Sequence, residues 1–346
     1  MFEDDSVDHR LDVRSPLSVV YAREAQASLL QAALPQPLLC VRSAVDLVSA
    51  TAIDEGVPVA FVDLDLLPHI DRQLHEVPII AIAESKPQDM LACAVRALAR
   101  YPWLAHVLSS QALTAPRARG FLAKLLARLA VGPAHPVLGE DGIGRVALLA
   151  CASRRQARLQ RMREFFGRHQ LTERAITTLL EVGEELVMNA LYDAPAEAGY
   201  FKRPRSRTEH VELPDELACQ ISYGIEDGTA FVRVRDPFGA LSRERVVNVL
   251  TRCNRPEVTL DESRGGAGLG MWRVFSVASQ IAITVVPGSF TEVLVGIRIK
   301  DGRAIRQLES VHLFFPPESD DYESLAVIPH DDHGLLDQSV TLIRVA

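Results

Sequence analysis

Short apolar runs alternate with amphipathic stretches along the first part of the chain. The runs that we predict to be strands are Leu17–Tyr21, Pro37–Val41, Val57–Asp63, Val77–Ala83 and Ala105–Leu108. Helical patterns lie between them at 22–33, 43–55 and 87–100, and a fourth covers 115–131. Strands that alternate with helices favour a parallel sheet with crossover helices, so residues 16–131 are predicted to form a doubly wound α/β domain.

The pattern changes after residue 131. Residues 132–147 are rich in Gly and Pro, and we therefore predict a linker at 132–150. A basic helix and a long amphipathic helix are predicted next, followed by a hairpin, two further helices and a second hairpin. The predicted boundaries are Ser153–Arg168 and Leu171–Tyr192 for the first two helices, Ala218–Ile225 with Thr229–Arg235 and Ile281–Val286 with Thr291–Ile299 for the hairpins, and Ser242–Thr251 and Leu269–Ser279 for the later helices.

Length and composition limit the function classes. The chain has 346 residues, which suggests two domains, and its 48% hydrophobic and 24% charged residues are typical of a packed protein. A net charge of −8 argues against a broad nucleic-acid-binding surface. Five scattered cysteines suggest reduced thiols, and we find no secretory signal and no apolar run that could span a membrane. We therefore expect a cytoplasmic protein, with a flexible terminus at 1–15 and a carboxy-terminal extension at 301–346 whose role the sequence does not indicate.

Polar side chains recur along one face of the predicted helix Leu171–Tyr192. Glu181, Glu185, Asn189 and Asp193 are four residues apart and share this face. The Asn189 oxygen can ligate Mg²⁺, while a Glu one turn away can orient or deprotonate a nucleophile. Taken alone, the same pattern is also typical of a solvated polar face.

Two further segments carry candidate chemistry. Asp236 ends a predicted strand before a turn at Gly239, where the carboxylate can accept a hydrogen bond from an exocyclic amine and the Gly permits close approach of a ring. A surface turn is the simpler interpretation. The run Gly265-Gly266-Ala267-Gly268-Leu269-Gly270 precedes a helix, and its N–H groups can bind phosphate. Neither a Rossmann motif nor a P-loop fits, because no strand comes before it and no Lys-Ser or Lys-Thr follows.

The order of these segments resembles the GHKL superfamily, which includes histidine kinases, anti-sigma-factor serine kinases, type II topoisomerases, Hsp90 and MutL. The resemblance implies an α+β two-layer (Bergerat) ATP-binding domain at 151–300. It implies Glu185 as the catalytic residue and Asn189 as the ligand of Mg²⁺. The ATP-binding residues that it implies are Asn189, Asp236, Gly239, Gly266, Gly268, Leu269, Gly270, Thr291 and Arg264. The chain departs from the family pattern in its Asp236-Pro237-Phe238-Gly239 turn and in Tyr192 and Asp193 after the Asn.

Residues 16–131 resemble a response-regulator receiver domain in topology. The paired acids after the first strand are missing, Asp63 and Asp65 have shifted spacing near the third strand, and Ser109-Ser110 replace the Lys after the fifth. Without these groups Mg²⁺ and a phosphoryl group would be poorly held. We therefore predict a pseudo-receiver that serves docking or dimerisation.

Together the two resemblances imply an ATP- and Mg²⁺-binding regulatory protein, closest to anti-sigma-type serine/threonine kinases, that acts as a kinase or a switch. The alternatives are a catalytically weak ATP-binding scaffold with a docking domain, and a histidine-kinase catalytic domain that acts in trans. The implied partner is a signalling protein (a sigma factor, an anti-sigma antagonist or a response regulator), with homodimerisation as a further option and no membrane or nucleic acid. The basic helix from Ser153 to Arg168 is interpreted as a solvated linker helix, with partner or nucleic-acid contact as the alternative.

Overall fold

The computed structural model describes residues 18–34, 38–51, 59–70, 77–114, 117–132, 137–139, 143–203, 205–254 and 269–316. The strands in this part of the chain are β1 Ser18–Tyr21, β2 Leu38–Cys40, β3 Val59–Asp63, β4 Ile79–Ala83, β5 His106–Ser109, β6 Ile143–Leu149, β7 Cys219–Glu226, β8 Thr229–Asp236, β9 Gln280–Val286, β10 Phe290–Lys300, β11 Arg303–Ile305 and β12 Ser310–Phe314. The helices are α1 Glu24–Ala33, α2 Ala44–Thr51, α3 Met90–Arg100, α4 Ser110–Leu113, α5 Ala118–Val131, α6 Arg155–Arg168, α7 Glu173–Met188, α8 Ala194–Glu197, α9 Arg243–Cys253 and α10 Leu269–Val277. The protein is therefore a mixed α/β protein.

All the described strands belong to one mixed sheet in the order β2-β1-β3-β4-β5-β12-β9-β10-β8-β7-β6, with β11 beside β10. The first five pair in parallel, as the alternating pattern predicted. Their order, 2-1-3-4-5, is one of the two common orders of doubly wound sheets. The strands from β6 to β10 pair in an antiparallel manner, and Thr291 of β10 lies opposite Asp236 of β8.

The segment predicted as a linker contains a strand. Residues 143–149 form β6, which pairs with β7 over its whole length, from Ile143 opposite Ile225 to Leu149 opposite Cys219. The linker prediction is therefore wrong for these residues. The Gly- and Pro-rich residues before them indicated a break in structure, whereas the pairing depends on β7, which lies about 70 residues later in the chain.

The carboxy-terminal extension contributes an internal strand. β12 lies between β5 and β9, antiparallel to the first and parallel to the second, so it connects the parallel and antiparallel parts of the sheet. The Glu309 carboxylate just before β12 accepts hydrogen bonds from Arg117 Nη2 at 2.6 Å and from Arg298 Nη1 at 2.8 Å. Thus the two predicted domains share one sheet among the described residues. Residues 317–346 lie outside the described part.

Apolar side chains cover both faces of the sheet. One buried cluster includes Leu30 of α1 and Leu122 of α5, together with alternate residues of the strands such as Phe61 and Ile80. The other cluster is formed with α2, α3, α6, α7, α9 and α10, and it includes Val62 from the opposite side of β3. The alternation along β3 and β4 thus places neighbouring residues in different clusters, as a sheet covered on both faces requires.

Two buried histidines lie at the junction formed by β12. His106 of β5 and His312 of β12 are register partners, with their Nδ1 atoms 3.4 Å apart. Burial lowers the pKa of His106 to about 3, and it also lowers that of His312. Both rings are therefore neutral near pH 7 and pack as apolar groups beside Phe314.

None of the helices within the described ranges has the length and apolar character that a bilayer crossing demands.

Candidate functional site

Helix α7 places the candidate acidic and amide side chains. Its first turn is capped by the Thr172 hydroxyl, which accepts a hydrogen bond from the Ala175 N–H at 3.4 Å. The apolar face of α7, which includes Leu186, is buried in the core. The polar face, which includes Glu185, therefore points away from the core. After Met188 the backbone continues as a π-helical turn over Asn189–Asp193 rather than as the regular helix that was predicted. Such turns are frequent at functional sites.

Asp236 and Thr291 form the polar end of the site on the sheet. They are cross-strand partners at the end of β8 and the start of β10. Asp236 is buried, with 6% of its surface exposed, and its carboxylate accepts a hydrogen bond from the Phe238 N–H at 3.0 Å. Burial raises the pKa of Asp236 to about 6, against the opposing effect of the N–H groups of Phe238, Gly239 and Thr291. The Thr291 hydroxyl is buried and has no hydrogen-bond partner among the described residues.

A cavity joins these two groups of residues. Glu185, Asn189, Asp236 and Thr291, which are all predicted site residues, line the same cavity. Its apolar lining comes from both layers of the fold and comprises Leu186, Val234, Leu241, Val246, Met271 and Val293. One part of the cavity is apolar and contains the buried Asp236 carboxylate and the Thr291 hydroxyl. The neighbouring part contains the side-chain oxygens of Glu185 on α7 and of Asn189 in the turn that follows it.

The start of α10 lies directly against Glu185. A methyl group at Gly270 would overlap the Glu185 carboxylate, so the absence of a side chain there makes room for it. Leu269 is 44% exposed and lines a neighbouring cavity between α7 and α10, to which Glu185 and Gly270 also contribute. Of the predicted phosphate-binding residues, Gly266, Gly268 and Arg264 lie outside the described residues.

Gly239 has a packing role that the sequence did not indicate. It does not line the cavity, and a methyl group at this position would overlap the carbonyl oxygen of Val286 and crowd the N–H of Gly288. Its φ of +60° also favours glycine. Gly239 therefore allows the turn after β8 to pack against the turn between β9 and β10, and its contribution to the site is indirect.

Arg207 is a cavity residue that the sequence did not place in the site. Its Nη1 donates to Glu185 Oε2 at 2.9 Å, and its Nη2 donates to Glu185 Oε1 at 3.2 Å, Asn189 Oδ1 at 2.7 Å and Asp193 Oδ2 at 2.9 Å. The guanidinium thus satisfies the three oxygen-bearing groups of the polar face at once. In the sequence, Arg207 belongs to a basic run at 200–207. This run indicates positive charge but does not show where in the fold the charge lies.

Glu197 and Arg245 also line the cavity and were not predicted. Arg245 of α9 forms an ion pair with Glu197 at the end of α8. Burial raises the pKa of Glu197 to about 7; Arg245 opposes this shift, and the negative charges of Asp193 and Asp236 add to it. Two glutamates and two aspartates therefore line the cavity with two arginines, so the lining is net negative when all four acids are ionised.

The side-chain oxygens of Glu185, Asn189 and Asp193 are suitable ligands for a divalent cation. Carboxylate and amide oxygens are the ligands that Mg²⁺ prefers in proteins. Glu185, Asn189 and Asp193 supply such oxygens within reach of one guanidinium, so their oxygens already converge on one positive charge. A cation that binds them has to displace Arg207.

A second acidic group lies at the carboxyl ends of β1 and β3. Asp63 is buried and accepts a hydrogen bond from the Arg23 backbone N–H at 2.8 Å, and burial raises the pKa of Asp63. The Arg23 side chain pairs with Asp65 and, at 3.2 Å, with Glu84. An arginine thus lies among the carboxylates of Asp63, Asp65 and Glu84.

A third set of metal-type donors lies outside the cavity. Cys151, His210 and Glu212 have donor atoms within 4.8 Å of one another. Cys151 is buried, but the His210 and Glu212 side chains are 63% and 71% exposed, and they are 3.8 Å apart at their closest nitrogen and oxygen. This set has no counterpart in the predicted chemistry.

Comparison of the chain with models of protein families and with curated proteins finds no match in either case.

Proposed function

We propose that the protein is an ATP- and Mg²⁺-binding regulatory protein of the GHKL type, acting as an anti-sigma-like serine/threonine kinase or as a nucleotide-dependent switch. The observation that carries this proposal is the single cavity that contains Glu185, Asn189, Asp236 and Thr291. These residues come from α7, β8 and β10, up to about 100 residues apart in the chain. Their convergence supports the resemblance on which the proposal rests.

The polar end of the cavity suits an adenine ring. An ionised Asp236 accepts a hydrogen bond from an exocyclic amino group, and the neighbouring Thr291 hydroxyl has no other partner among the described residues. A buried hydroxyl without a partner costs about 1–3 kcal/mol, which a ligand or a water molecule would recover. The apolar residues beside them, including Val234 and Met271, provide the surface on which a flat ring can pack.

The α7 end of the cavity suits the phosphates and their metal ion. Mg²⁺, when bound, neutralises phosphate charge and polarises the phosphoryl oxygens. Asn189 and Asp193 supply oxygen ligands for it, while Glu185 is positioned to accept a proton from an attacking hydroxyl. Arg207 has to leave these oxygens, and its guanidinium is then free to pair with the phosphates.

A catalytically weak ATP-binding scaffold is the second candidate. It is favoured by the bidentate pairing of Arg207 with Glu185, because a carboxylate held in this way is a poor proton acceptor. The arginine among the acids of the receiver-like part points in the same direction, since it replaces the cation that phosphoryl transfer would require there. A histidine-kinase catalytic domain that acts in trans would use the same cavity.

Thermal unfolding of the whole protein with millimolar Mg·ATP tests the proposal. A ligand that binds only the folded state stabilises it by RT ln(1 + [L]/Kd), or about 2.7 kcal/mol at a hundredfold excess over Kd. We expect the midpoint to rise with Mg·ATP and to rise less with Mg·GTP, whose ring carries a carbonyl where adenine has the amino group. Equal midpoint shifts with Mg·ATP and Mg·GTP would contradict the proposal. So would the absence of both a midpoint shift and calorimetric heat with Mg·ATP.

Glu185→Gln separates the kinase from the scaffold. The variant keeps an oxygen donor and the size of the side chain, but it cannot accept a proton. If the protein is a kinase, Mg·ATP affinity should stay within about threefold of wild type while transfer from labelled ATP falls by about tenfold or more. If wild type and variant transfer no label with or without candidate partners, the scaffold is the better description.

A further inference from the structure

The sheet ends at β6, and the outer edge of this strand carries no further strand among the described residues. β6 is seven residues long and pairs only with β7. Val146 and Leu148 are 62% and 59% exposed on one face of the strand. Edge strands of this length that expose apolar residues are normally protected by charges, bulges or another element, because they offer unpaired backbone groups to a further strand.

Two hydrogen bonds show which backbone groups point outward. Arg158 Nη2 donates to the Leu148 carbonyl oxygen at 3.2 Å, and Arg145 Nη1 donates to the Gly144 carbonyl oxygen at 3.3 Å. In an antiparallel pair, alternate residues direct both N–H and C=O to the same side. Gly144, Val146 and Leu148 therefore direct their backbone groups away from β7, toward the free edge.

Four arginines surround a groove between this strand and α6. Arg158, Arg161 and Arg168 lie on one face of α6, and Arg145 lies on β6. No carboxylate within the described ranges pairs with any of the four, although Glu164 lines the same groove. Arg163 differs, since it pairs with Glu173 at 2.6 Å. The groove beside the free edge thus contains four arginines and one glutamate, with an excess of positive charge that no ion pair among the described residues compensates.

We propose that this groove is the docking site of an acidic, extended segment of a partner protein. The segment would add a strand to the outer edge of β6, pair with the backbone of Val146, and place its carboxylates against the four arginines. Main-chain hydrogen bonds would supply affinity, and the arginines and the exposed apolar side chains would supply selectivity for acidic residues that alternate with apolar ones. This role does not depend on the nucleotide cavity.

Two other occupants fit the surface less well. A second copy of the chain that paired β6 with β6 about a twofold axis would bring two sets of four arginines together, which like-charge repulsion opposes. A nucleic acid would use the arginines but not the free strand edge or the apolar Val146 and Leu148, and the chain has a net charge of −8.

Fluorescence anisotropy with the full chain and a labelled peptide of alternating Glu and Val tests the proposal. We expect saturable binding that weakens with salt, since Arg145, Arg161 and Arg168 are exposed and Arg158 is half-buried, so that their charges are screened above about 0.15 M ionic strength. A peptide of alternating Lys and Val should bind at least about tenfold more weakly. Equal binding of the two peptides, or no binding of the acidic one, overturns the proposal.

Paired variants separate the contributions of charge and strand edge. Arg158→Glu with Arg161→Glu should weaken binding by about tenfold or more, whereas Arg163→Glu on the same helix should not. Val146→Pro removes an outward N–H that β7 does not use, and it should weaken binding by about fivefold or more, whereas Val146→Thr keeps the N–H and the binding. The melting temperature of each variant verifies that it is folded.

Two results would assign the surface to another occupant. Binding of a labelled oligo-dT strand that is lost in Arg158→Glu with Arg161→Glu, without binding of the acidic peptide, identifies a nucleic-acid site. A dimer in sedimentation that Val146→Pro abolishes identifies a second copy. Loss of peptide binding with intact Mg·ATP stabilisation, or the reverse, shows which of the two proposals has failed.

Discussion

At the scale of single residues, the proposed adenine-binding role of Asp236 comes with an electrostatic cost. Its carboxylate is buried at the end of β8, and burial raises its pKa to about 6. The folded protein therefore holds the ionised form only above about pH 6, whereas the unfolded chain ionises it from about pH 4 upward. Between these values stability is lost as pH rises, because the unfolded state releases the proton first.

Asp236→Asn should therefore stabilise the free protein at pH 7 while weakening ATP. The amide avoids the buried charge, so we expect a higher melting midpoint without ligand. Mg·ATP affinity should fall by about tenfold or more, because the amide is a weaker acceptor for an adenine amino group. Calorimetry across about pH 5 to pH 8 should show affinity falling in wild type as pH drops through about 6, but not in the variant. An identical pH profile would remove Asp236 from the adenine site.

Removal of Arg207 should raise Mg²⁺ affinity and lower the stability of the metal-free protein. Its guanidinium binds the same oxygens of Glu185, Asn189 and Asp193 that are proposed to hold Mg²⁺. Without nucleotide, Arg207→Ala should therefore bind Mg²⁺ about tenfold more tightly than wild type in calorimetry, since no cation competes for these ligands. The variant should also be less stable without metal, because two carboxylates lose their partner.

The matched control is Arg203→Ala in the same loop. Arg203 is 67% exposed and pairs with Glu209 at 3.3 Å, away from the cavity. Its loss should leave Mg²⁺ affinity unchanged, because exposed pairs contribute little. Equal Mg²⁺ affinity in wild type, Arg203→Ala and Arg207→Ala would show that Arg207 does not compete with the ion.

At the scale of elements, the site depends on how closely α10 approaches α7. Gly270, in the first turn of α10, leaves room for the Glu185 carboxylate, which in turn is held by Arg207. A glycine in the predicted phosphate-binding turn therefore contacts the predicted catalytic residue of another helix. The first turn of α10 and the Glu185 carboxylate of α7 are therefore in direct contact.

Gly270→Ala should destabilise the protein by about 1–3 kcal/mol in urea unfolding, because the added methyl group displaces Glu185 from Arg207. Gly167→Ala in α6 has open space around it and should cost nothing or stabilise by up to about 1 kcal/mol. In the Arg207→Ala background the cost of Gly270→Ala should shrink, since Glu185 is then free to move. Strict additivity of the two changes would argue against this coupling.

At the scale of the whole molecule, β12 makes one sheet out of two groups of strands. It pairs with β5 on one side and β9 on the other, and Glu309 beside it is buried between Arg117 and Arg298. Arg243 of α9 adds a further link, because it donates to the carbonyl oxygens of Leu98 and Leu104 near the end of α3. Elements from both halves of the chain therefore stabilise each other.

A chain that ends after Pro316 should unfold in one cooperative transition close to that of the full chain. A chain that ends after Ile305 lacks β12, leaves two strand edges open and leaves Arg117 and Arg298 without Glu309, so we expect it to aggregate or lose its cooperative transition. Circular dichroism with urea distinguishes these results. A fragment of residues 16–131 that unfolds cooperatively by itself would instead support two separate domains.

Much of the local structure could be predicted, because it depends on neighbours in the chain. The succession of β1 to β5 along the chain and the helices α1, α2 and α3 between them followed from short apolar runs that alternate with amphipathic stretches. Four site residues, Glu185, Asn189, Asp236 and Thr291, followed from the order of motifs, and they line one cavity. In each case, the sequence itself carries the signal, as a repeat or as a motif with fixed spacing.

Only the tertiary structure decided the features that depend on distant partners. The pairing of β6 with β7 and the place of β12 between β5 and β9 depend on registers across about 30 to 200 residues, which no local pattern records. The same holds for Arg207, whose role arises because its loop folds back over α7, and for the pair of Glu197 and Arg245. A charged side chain on a loop can pair with many groups, and only the folded chain selects one of them.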